Sequence, residues 1–255
     1  ERYGEFEANV LRQRLEAILD VYTAEEFGLD VPNGAYERMA KALKRESRWE
    51  DIESKTWFAE AQKLAEEKSF FNWRLEYPDI FYDEEGEEKD NPGFDVVLGN
   101  PPYINAIELN DITTHEKDLW KKRFNSAKNA YDIYVLFLEQ SLELSRRSGF
   151  VGMIVPNKHL SAPYAEAYRE YIINNHQMWM ICDVSQLGVF EDPSVYPVIP
   201  FFKAGEEFDG VDNVAIDKPT STMSISTDNE NRDVCSPERL TKIGENLWGP
   251  LLLDL

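Results

Sequence analysis

The 255-residue chain is 42% hydrophobic and carries 48 acidic against 27 basic side chains, a formal net charge of −21. This length supports one large α/β domain, or one domain with a helical appendage, and no run is apolar enough to cross a membrane. The charge argues against phosphate-bearing partners; in a salt-rich setting, however, the same carboxylates form a general solvated surface whose repulsion is screened within a few ångströms, so charge alone leaves DNA open.

The charged start, ERYGEFEANV, is no signal peptide, and without an initiator Met it reads as a piece of a longer chain. Cys182 and Cys235 lie far apart, as suits a cytoplasmic protein rather than a disulfide scaffold, and Cys182 sits in an apolar run as a core residue. His115, His159 and His176 show no ligand spacing with the cysteines, so no metal is expected.

From about Glu5 to Glu67 the periodicity is helical. Leu11, Leu15, Ile18 and Leu19 share a face, as do Met39 and Leu43, and later Phe58, Ala61 and Leu64. GLDVPNG (Gly28 to Gly34) separates the first helix from the second. Residues 1–69 hold no catalytic constellation and read as packing or spacing. FFNWRLEYPDIF (Phe70 to Phe81) is strongly aromatic and is followed by a polar turn, YDEEGEEKDNPG. Pro78-Asp79 with Glu87-x-Lys89 fits the PD-(D/E)xK nuclease pattern, but such sites need the acids and the lysine on adjacent strands around magnesium. Here the second half falls in an acidic, glycine-containing loop, and a solvated turn is the stronger reading.

FDVVLG is a short apolar run, expected as a strand buried on both faces. AYDIYVLFLEQSLELSRRSG is a helix with Ile133, Phe137 and Leu144 on one side and Gly149 as its stop. FVGMIVPN is a second strand, APYAEAYREYIINNH a second helix and MWMICDVSQL a third strand. This alternation over residues 70–205 implies right-handed crossovers and a parallel sheet covered by helices. VFEDPSVYPVIPFFKAG adds a closing antiparallel edge. Residues 206–255 read as a polar linker and an apolar entry, LTKIGENLWGPLLLDL, to a following domain.

The stretch FDVVLGNPPYINA (Phe94 to Ala106) ends a strand in Asn-Pro-Pro-Tyr. In an open parallel sheet, ligands bind at the carboxyl ends of strands. Two prolines make a stiff corner that donates no backbone hydrogen bond and leaves its carbonyls free to accept. Asn100 adds a side-chain acceptor and Tyr103 a flat face, a combination that suits a planar group bearing an amine. Neutral acceptors aimed at that nitrogen stabilise the positive charge it gains on methylation. The plain alternative is a strand cap followed by a rigid turn. Beyond it, Lys117, Lys121, Lys122, Arg123 and Lys128 gather basic charge in an acidic chain, either as phosphate contacts or as a solvated helix face.

FDVVLGNPPYI resembles motif IV of the amino-group methyltransferases that use S-adenosylmethionine. DIYVLFLEQSLELSRRSGFVGMIVPNKHL (Asp132 to Leu160) resembles the following segment of N6-adenine DNA methyltransferases, and GVFEDPSVYPVIPFFKAG their later motif. The aromatic lead-in FNWRLEYPDIF is similar to that of type IIG restriction-modification and phage-defence methylases. The resemblance implies an α/β fold, a partial Rossmann-like S-adenosylmethionine-dependent methyltransferase sheet with an N-terminal helical region. It gives Asn100 (side chain) and Pro101 (carbonyl) the role of acceptors for adenine N6, with Tyr103 and Phe190 on the two faces of a flipped base. Pro102 and Phe137 would flank the cofactor's adenine, with core packing as the alternative for Phe137. Lys121, Lys122 and Arg123 would meet the phosphates of double-stranded DNA.

The family's glycine-rich cofactor loop is missing upstream of Asn100. The resemblance therefore implies a target-base half that binds S-adenosylmethionine weakly or not at all by itself, with cofactor-binding and target-recognition parts elsewhere in the same polypeptide. Asn-Pro-Pro-Tyr also occurs in methyltransferases acting on protein glutamine or ribosomal RNA, and a non-catalytic DNA-binding piece is a further alternative. The long insert from Ile104 to Ala130 and the unfinished C-terminus favour DNA.

Overall fold

The computed structural model describes residues 2–105, 107–109, 112–128, 131–190, 196–205, 214–217 and 232–235. They fall into two units, Glu1–Glu87 and Glu88–Leu255.

The first unit is helical: α1 (Arg2–Glu26), α2 (Ala35–Ala42), α3 (Glu46–Glu53), α4 (Thr56–Lys68), α5 (Trp73–Glu76) and α6 (Pro78–Phe81). Its core joins Val21 and Ala24 of α1 to Met39, Trp49, Phe58 and Ala61. Gly34, at φ +73°, turns the chain into α2. The α4 helix ends with Ser69 in the left-handed region at φ 52°, and Phe70 N–H reaches back to Ala65 O at 3.0 Å. Phe70 then packs on this core, its ring centroid 5.3 Å from that of Phe27. The aromatic lead-in therefore packs with the helical unit, which extends to Glu87. Asn72 caps α5 by accepting from Arg74 N and Leu75 N, and Pro78 opens α6, where its missing N–H costs nothing. Asp79 thus lies on a short helix, not on the strand that a PD-(D/E)xK site requires.

The second unit holds β1 (Phe94–Gly99), α7 (Thr114–Arg123), α8 (Ile133–Leu144), β2 (Ser145–Met153), β3 (Val155–Pro156), α9 (Glu166–Asn175), β4 (Gln177–Asp183), β5 (Pro197–Lys203), β6 (Val214–Asp217) and β7 (Arg232–Cys235). The strands form one sheet in the order β1-β2-β5-β4-β6-β7, with β3 pairing on β5. β1 and β2 are parallel, and β5 runs antiparallel to both β2 and β4. One face is sealed by Tyr134, Val135, Leu138 and Leu142 of α8 and by Tyr168 and Ile172 of α9, set against Val151, Met153, Ile181, Val198 and Phe202.

Three sequence expectations are corrected here. β1 is not buried on both faces: Val96 and Leu98 are 53% and 69% exposed. Among the described residues β1 is the terminal strand, and only the face bearing Val97 packs on the helical layer. The antiparallel strand β5 is not an edge but lies between β2 and β4, which its run of alternating buried residues allows. Gly149 does not stop α8. The helix ends at Leu144, where the Ser145 hydroxyl donates to Ser141 O at 2.8 Å. β2 then bulges: β1 advances from Phe94 to Val96 while β2 advances from Ser145 to Phe150. A Cβ on Gly149 would sit 2.8 Å from Phe94 O, so close backbone approach is what requires glycine there.

Two histidines are sealed in this unit. His159 is fully buried with Nδ1 2.8 Å from Pro156 O, and His176 Nδ1 accepts from Gly205 N at 3.1 Å. Among the described residues the Nε2 atoms of both rings have no partner. Burial lowers each to about 4 from an ordinary value of 6.5. The unfolded chain then binds protons that the fold refuses, so this stability is complete above about pH 6.5 and is lost as pH falls through about 4. We expect each ring to contribute on the order of 3 kcal/mol of acid destabilisation in the limit. Urea unfolding followed at a series of pH values should show a steep loss from pH 6.5 to 4, and His159→Gln should remove about half of it.

Candidate active site at the carboxyl end of β1

The chain leaves β1 at Gly99 and turns through Asn100, Pro101, Pro102 and Tyr103. Both backbone groups of one residue grip this corner. Ile154 N–H donates to Gly99 O at 3.1 Å, and Ile154 O accepts from the Tyr103 hydroxyl at 2.8 Å. Between these anchors Asn100 is exposed, Pro101 buried, Pro102 exposed and Tyr103 half-buried. The prolines hold φ fixed, so burial of Pro101 leaves Asn100 facing solvent at the strand end.

The Tyr103 ring meets two others edge-on, Phe190 at 5.7 Å and Tyr134 at 6.2 Å between centroids. Burial pushes the Tyr103 phenol up to about 12, so it stays a neutral donor to Ile154. Tyr103 and Phe190, singled out in sequence far apart, are thus neighbours at the corner. Phe137 is 44% exposed although Tyr134, Val135, Leu136 and Leu138 around it on α8 are buried. Among the described ring contacts, none joins Phe137 to the Tyr103–Phe190 pair.

Beside the rings lies a polar network that the sequence did not disclose. Asp132 Oδ1 accepts from Asn105 Nδ2 at 3.0 Å and Oδ2 from the Tyr164 hydroxyl at 2.6 Å. The Tyr164 hydroxyl also lies 2.9 Å from that of Tyr134. Ile133 N–H donates to Ile104 O at 2.8 Å, and Asn105 bridges Asp132 as an isolated antiparallel pair.

The insert after the corner is tied down at its far end as well. Its helix α7 opens with a capping box between Thr113 and Glu116, and Trp120 and Phe124 pack on the sheet unit's core. Glu139 of α8 is fully buried and accepts from Asn125 N, Asn125 Nδ2 and Ser126 N at 2.7, 3.0 and 2.8 Å. Arg123 pairs with Glu143 and covers the Phe124 ring at 5.1 Å, and its pKa is raised chiefly by the hydrogen bond to Glu143. Lys121 bonds Asp118 within its own helix at 2.9 Å. Lys122 and Lys128 are exposed and Lys117 is half-buried. Of the basic cluster, Arg123 therefore serves the fold directly. A cleft of about 530 Å³ also lies in the helical unit, but its buried cation Arg14 is already held by Glu46 and by Leu43 O.

The family described as Eco57I restriction-modification methylase matches residues 9–190. The chain is 29% identical over 111 residues to the type II restriction enzyme and methyltransferase RM.Eco57I of Escherichia coli, a match covering 44% of this chain and 11% of that protein. It is 31% identical over 111 residues to the type II methyltransferase M.BstVI of Geobacillus stearothermophilus, covering 43% and 19%. Among solved structures, a modification subunit of a putative type I restriction enzyme from Vibrio vulnificus YJ016 aligns with a TM-score of 0.44 at 15% identity, over 63% of this chain and 37% of that one. The matched region thus spans well under a third of each of these two curated relatives.

The Glu139 anchor gives a stability test. In Glu139→Gln one buried acceptor becomes a donor facing an N–H, and the charge assistance is lost. We expect a loss of about 2–4 kcal/mol, read as a lower denaturant midpoint, with amide exchange accelerating first around Asn125 and Ser126.

Proposed function

Because the chain belongs to the Eco57I restriction-modification methylase family, we propose that it carries the target-base part of a DNA adenine N6-methyltransferase of a restriction-modification or related defence system. One observation carries the reading: a rigid corner at a strand's carboxyl end leaves Asn100 exposed three residues before Tyr103, whose ring meets Phe190. In this reading the Asn100 side-chain oxygen and the Pro101 carbonyl accept the two hydrogens of the adenine amine. Both acceptors are neutral and fixed, so they favour the charge that grows on nitrogen without reorganising. Tyr103, its hydroxyl fastened to Ile154, offers the base a fixed flat face.

At 5.7 Å and 83° the two rings meet edge to face, and in this reading a base stacked between them parts the pair. An edge-to-face aromatic pair is worth about 0.5–1.5 kcal/mol beyond its buried area. Base–aromatic stacking is worth about 1–3 kcal/mol. The ring contact that a stacked base displaces is thus of the same order as the stacking gained in its place.

The cofactor of this reading is S-adenosylmethionine, which when bound supplies an electrophilic methyl group. Phe137 and Pro102, both exposed, are the residues this reading sets beside its adenine. The bare side of β1, with Val96 and Leu98 exposed, supports the view that further parts of the same polypeptide complete the sheet and the cofactor site. DNA as the partner is favoured by the family and by exposed Lys122 and Lys128 on the insert beside the corner.

The test is methyl transfer from labelled S-adenosylmethionine by the intact methylase to DNA, ribosomal RNA and protein, with the product resolved as nucleosides or amino acids. N6-methyladenine from DNA is expected. Label in cytosine, RNA or glutamine would refute the assignment. Asn100→Ala should lower kcat about 100- to 1,000-fold, with the melting temperature unchanged. Lys122→Glu and Lys128→Glu should each flatten the salt dependence of DNA affinity by about one phosphate contact; an unaltered slope would assign these lysines to solvent.

A further inference from the structure

We propose that Asp132 is a positioning residue for the Tyr103 ring, acting through Asn105 on one side and through Tyr164 and Tyr134 on the other. The inference rests on the reading of Tyr103 as the ring that carries the target base.

Asp132 occupies the N-cap of α8, where an aspartate ordinarily accepts from the first turn of its helix. It makes no such bond. Both carboxylate oxygens go to distant segments instead, Oδ1 to Asn105 and Oδ2 to Tyr164. A helix cap has been given up for a cross-link among three stretches of chain.

Each arm of the cross-link reaches Tyr103. Asn105 lies two residues beyond it; its Nδ2 is held by Asp132, and its Oδ1 accepts from Ile107 N at 2.9 Å. The backbone bond from Ile133 N to Ile104 O fixes the intervening residue. On the other arm, the single hydroxyl proton of Tyr164 goes to Asp132, so Tyr134 must donate to the Tyr164 oxygen. That bond sets the Tyr134 ring, whose edge meets Tyr103 at 6.2 Å. His159 meets the Tyr134 ring at 5.9 Å. Tyr103 is therefore held at its hydroxyl by Ile154, along its following backbone by Asp132 through Asn105, and at its ring by Tyr134.

The network is a brace and not a proton path. Burial, first of all, drives the phenols of Tyr134 and Tyr164 far above the ordinary tyrosine range, so neither releases its proton. Asp132 accepts through both oxygens. Its contribution is geometric, and misplacement of a reacting group by about 1 Å costs on the order of 100-fold in rate.

The experiment compares Asp132→Ala, Asp132→Asn and Tyr164→Phe in the intact methylase. Turnover is measured on unmethylated genomic DNA with labelled S-adenosylmethionine. Independently, the fluorine resonance of 3-fluorotyrosine inserted in place of Tyr103 is recorded without DNA or cofactor. We expect kcat to fall about 100-fold in Asp132→Ala and about 10-fold in Asp132→Asn and Tyr164→Phe, with KM for DNA within about twofold and melting within a few degrees. The fluorine line should shift or broaden in the same order. Wild-type kcat in Asp132→Ala, a fall that only tracks the unfolded fraction, or an unmoved fluorine line would overturn the proposal. Should Asp132→Ala fail to fold, Tyr164→Phe, which removes one hydroxyl, decides in the same way. If the wild-type enzyme leaves DNA adenine unmethylated, the functional reading fails, and the fluorine line still upholds or overturns the brace.

Discussion

The carboxyl end of β1 depends on Ile154, whose N–H and C=O are spent on the residues either side of Asn-Pro-Pro. Proline has no N–H to offer, so a double-proline corner cannot continue the ladder and would swing free without an outside anchor. Residue 154 supplies that anchor because it lies between β2, which pairs with β1, and β3, which pairs with β5. Its N–H closes the last rung toward β1 at Gly99 O, and its C=O, beyond the end of β1, takes the Tyr103 hydroxyl. Asn100 lies exposed between these two anchors, and the second of them holds the Tyr103 hydroxyl.

A second constraint is the distribution of carboxylates along α8. Asp132, Glu139 and Glu143 each bind chain that comes before the helix: Asn105, the Asn125–Ser126 backbone and Arg123. The spacing of seven and four residues keeps the last two on one side of the helix. The insert is thus strapped to α8 near its beginning and at its end, and α7 lies between the straps with Trp120 and Phe124 turned toward the core. A buried carboxylate that accepts several N–H bonds needs no cation, which is why Glu139 is fully buried without one. Glu143 is less buried and takes Arg123.

Much of this was legible in the sequence. Strand-like FDVVLG, the proline corner and a helix beginning after Asp132 stand where expected, because short-range stereochemistry and hydrophobic spacing determine them, whereas the helix buries Tyr134, Val135, Leu138 and Leu142 rather than the expected face of Ile133, Phe137 and Leu144. What the sequence hid depends on pairing between distant residues. The exposure of Val96 and Leu98 reflects the place of β1 in the sheet order, which a run of apolar letters does not encode. Gly149 had the spacing of a helix stop, yet its smallness answers to the approach of Phe94 O. Arg123 stood among lysines as one more cation, and only the fold sets Glu143 against it. The Asp132 brace had one available signal: an aspartate ahead of an apolar helix, with tyrosines and an asparagine nearby in a segment otherwise rich in core residues.

The strongly acidic balance bears on the proposed partner through placement rather than total. Some carboxylates are consumed inside the fold: Asp132 and Glu139 by neutral donors, Glu116 by its capping box, Glu143 by Arg123. Others crowd the polar turn from Asp83 to Asp90, at the end of the helical unit and the start of the next. An exposed charge acts over roughly 8–10 Å at ordinary salt, so a phosphate senses its near neighbours and not the formal sum. Within that radius of Lys122 the structure has already neutralised Arg123 and Lys121 against Glu143 and Asp118. The basic letters of the insert therefore overstate its attraction for phosphate as much as the net charge overstates its repulsion. In the proposed function the weight of recognition therefore passes to the corner, where neutral acceptors and ring faces would discriminate by shape and hydrogen bonding.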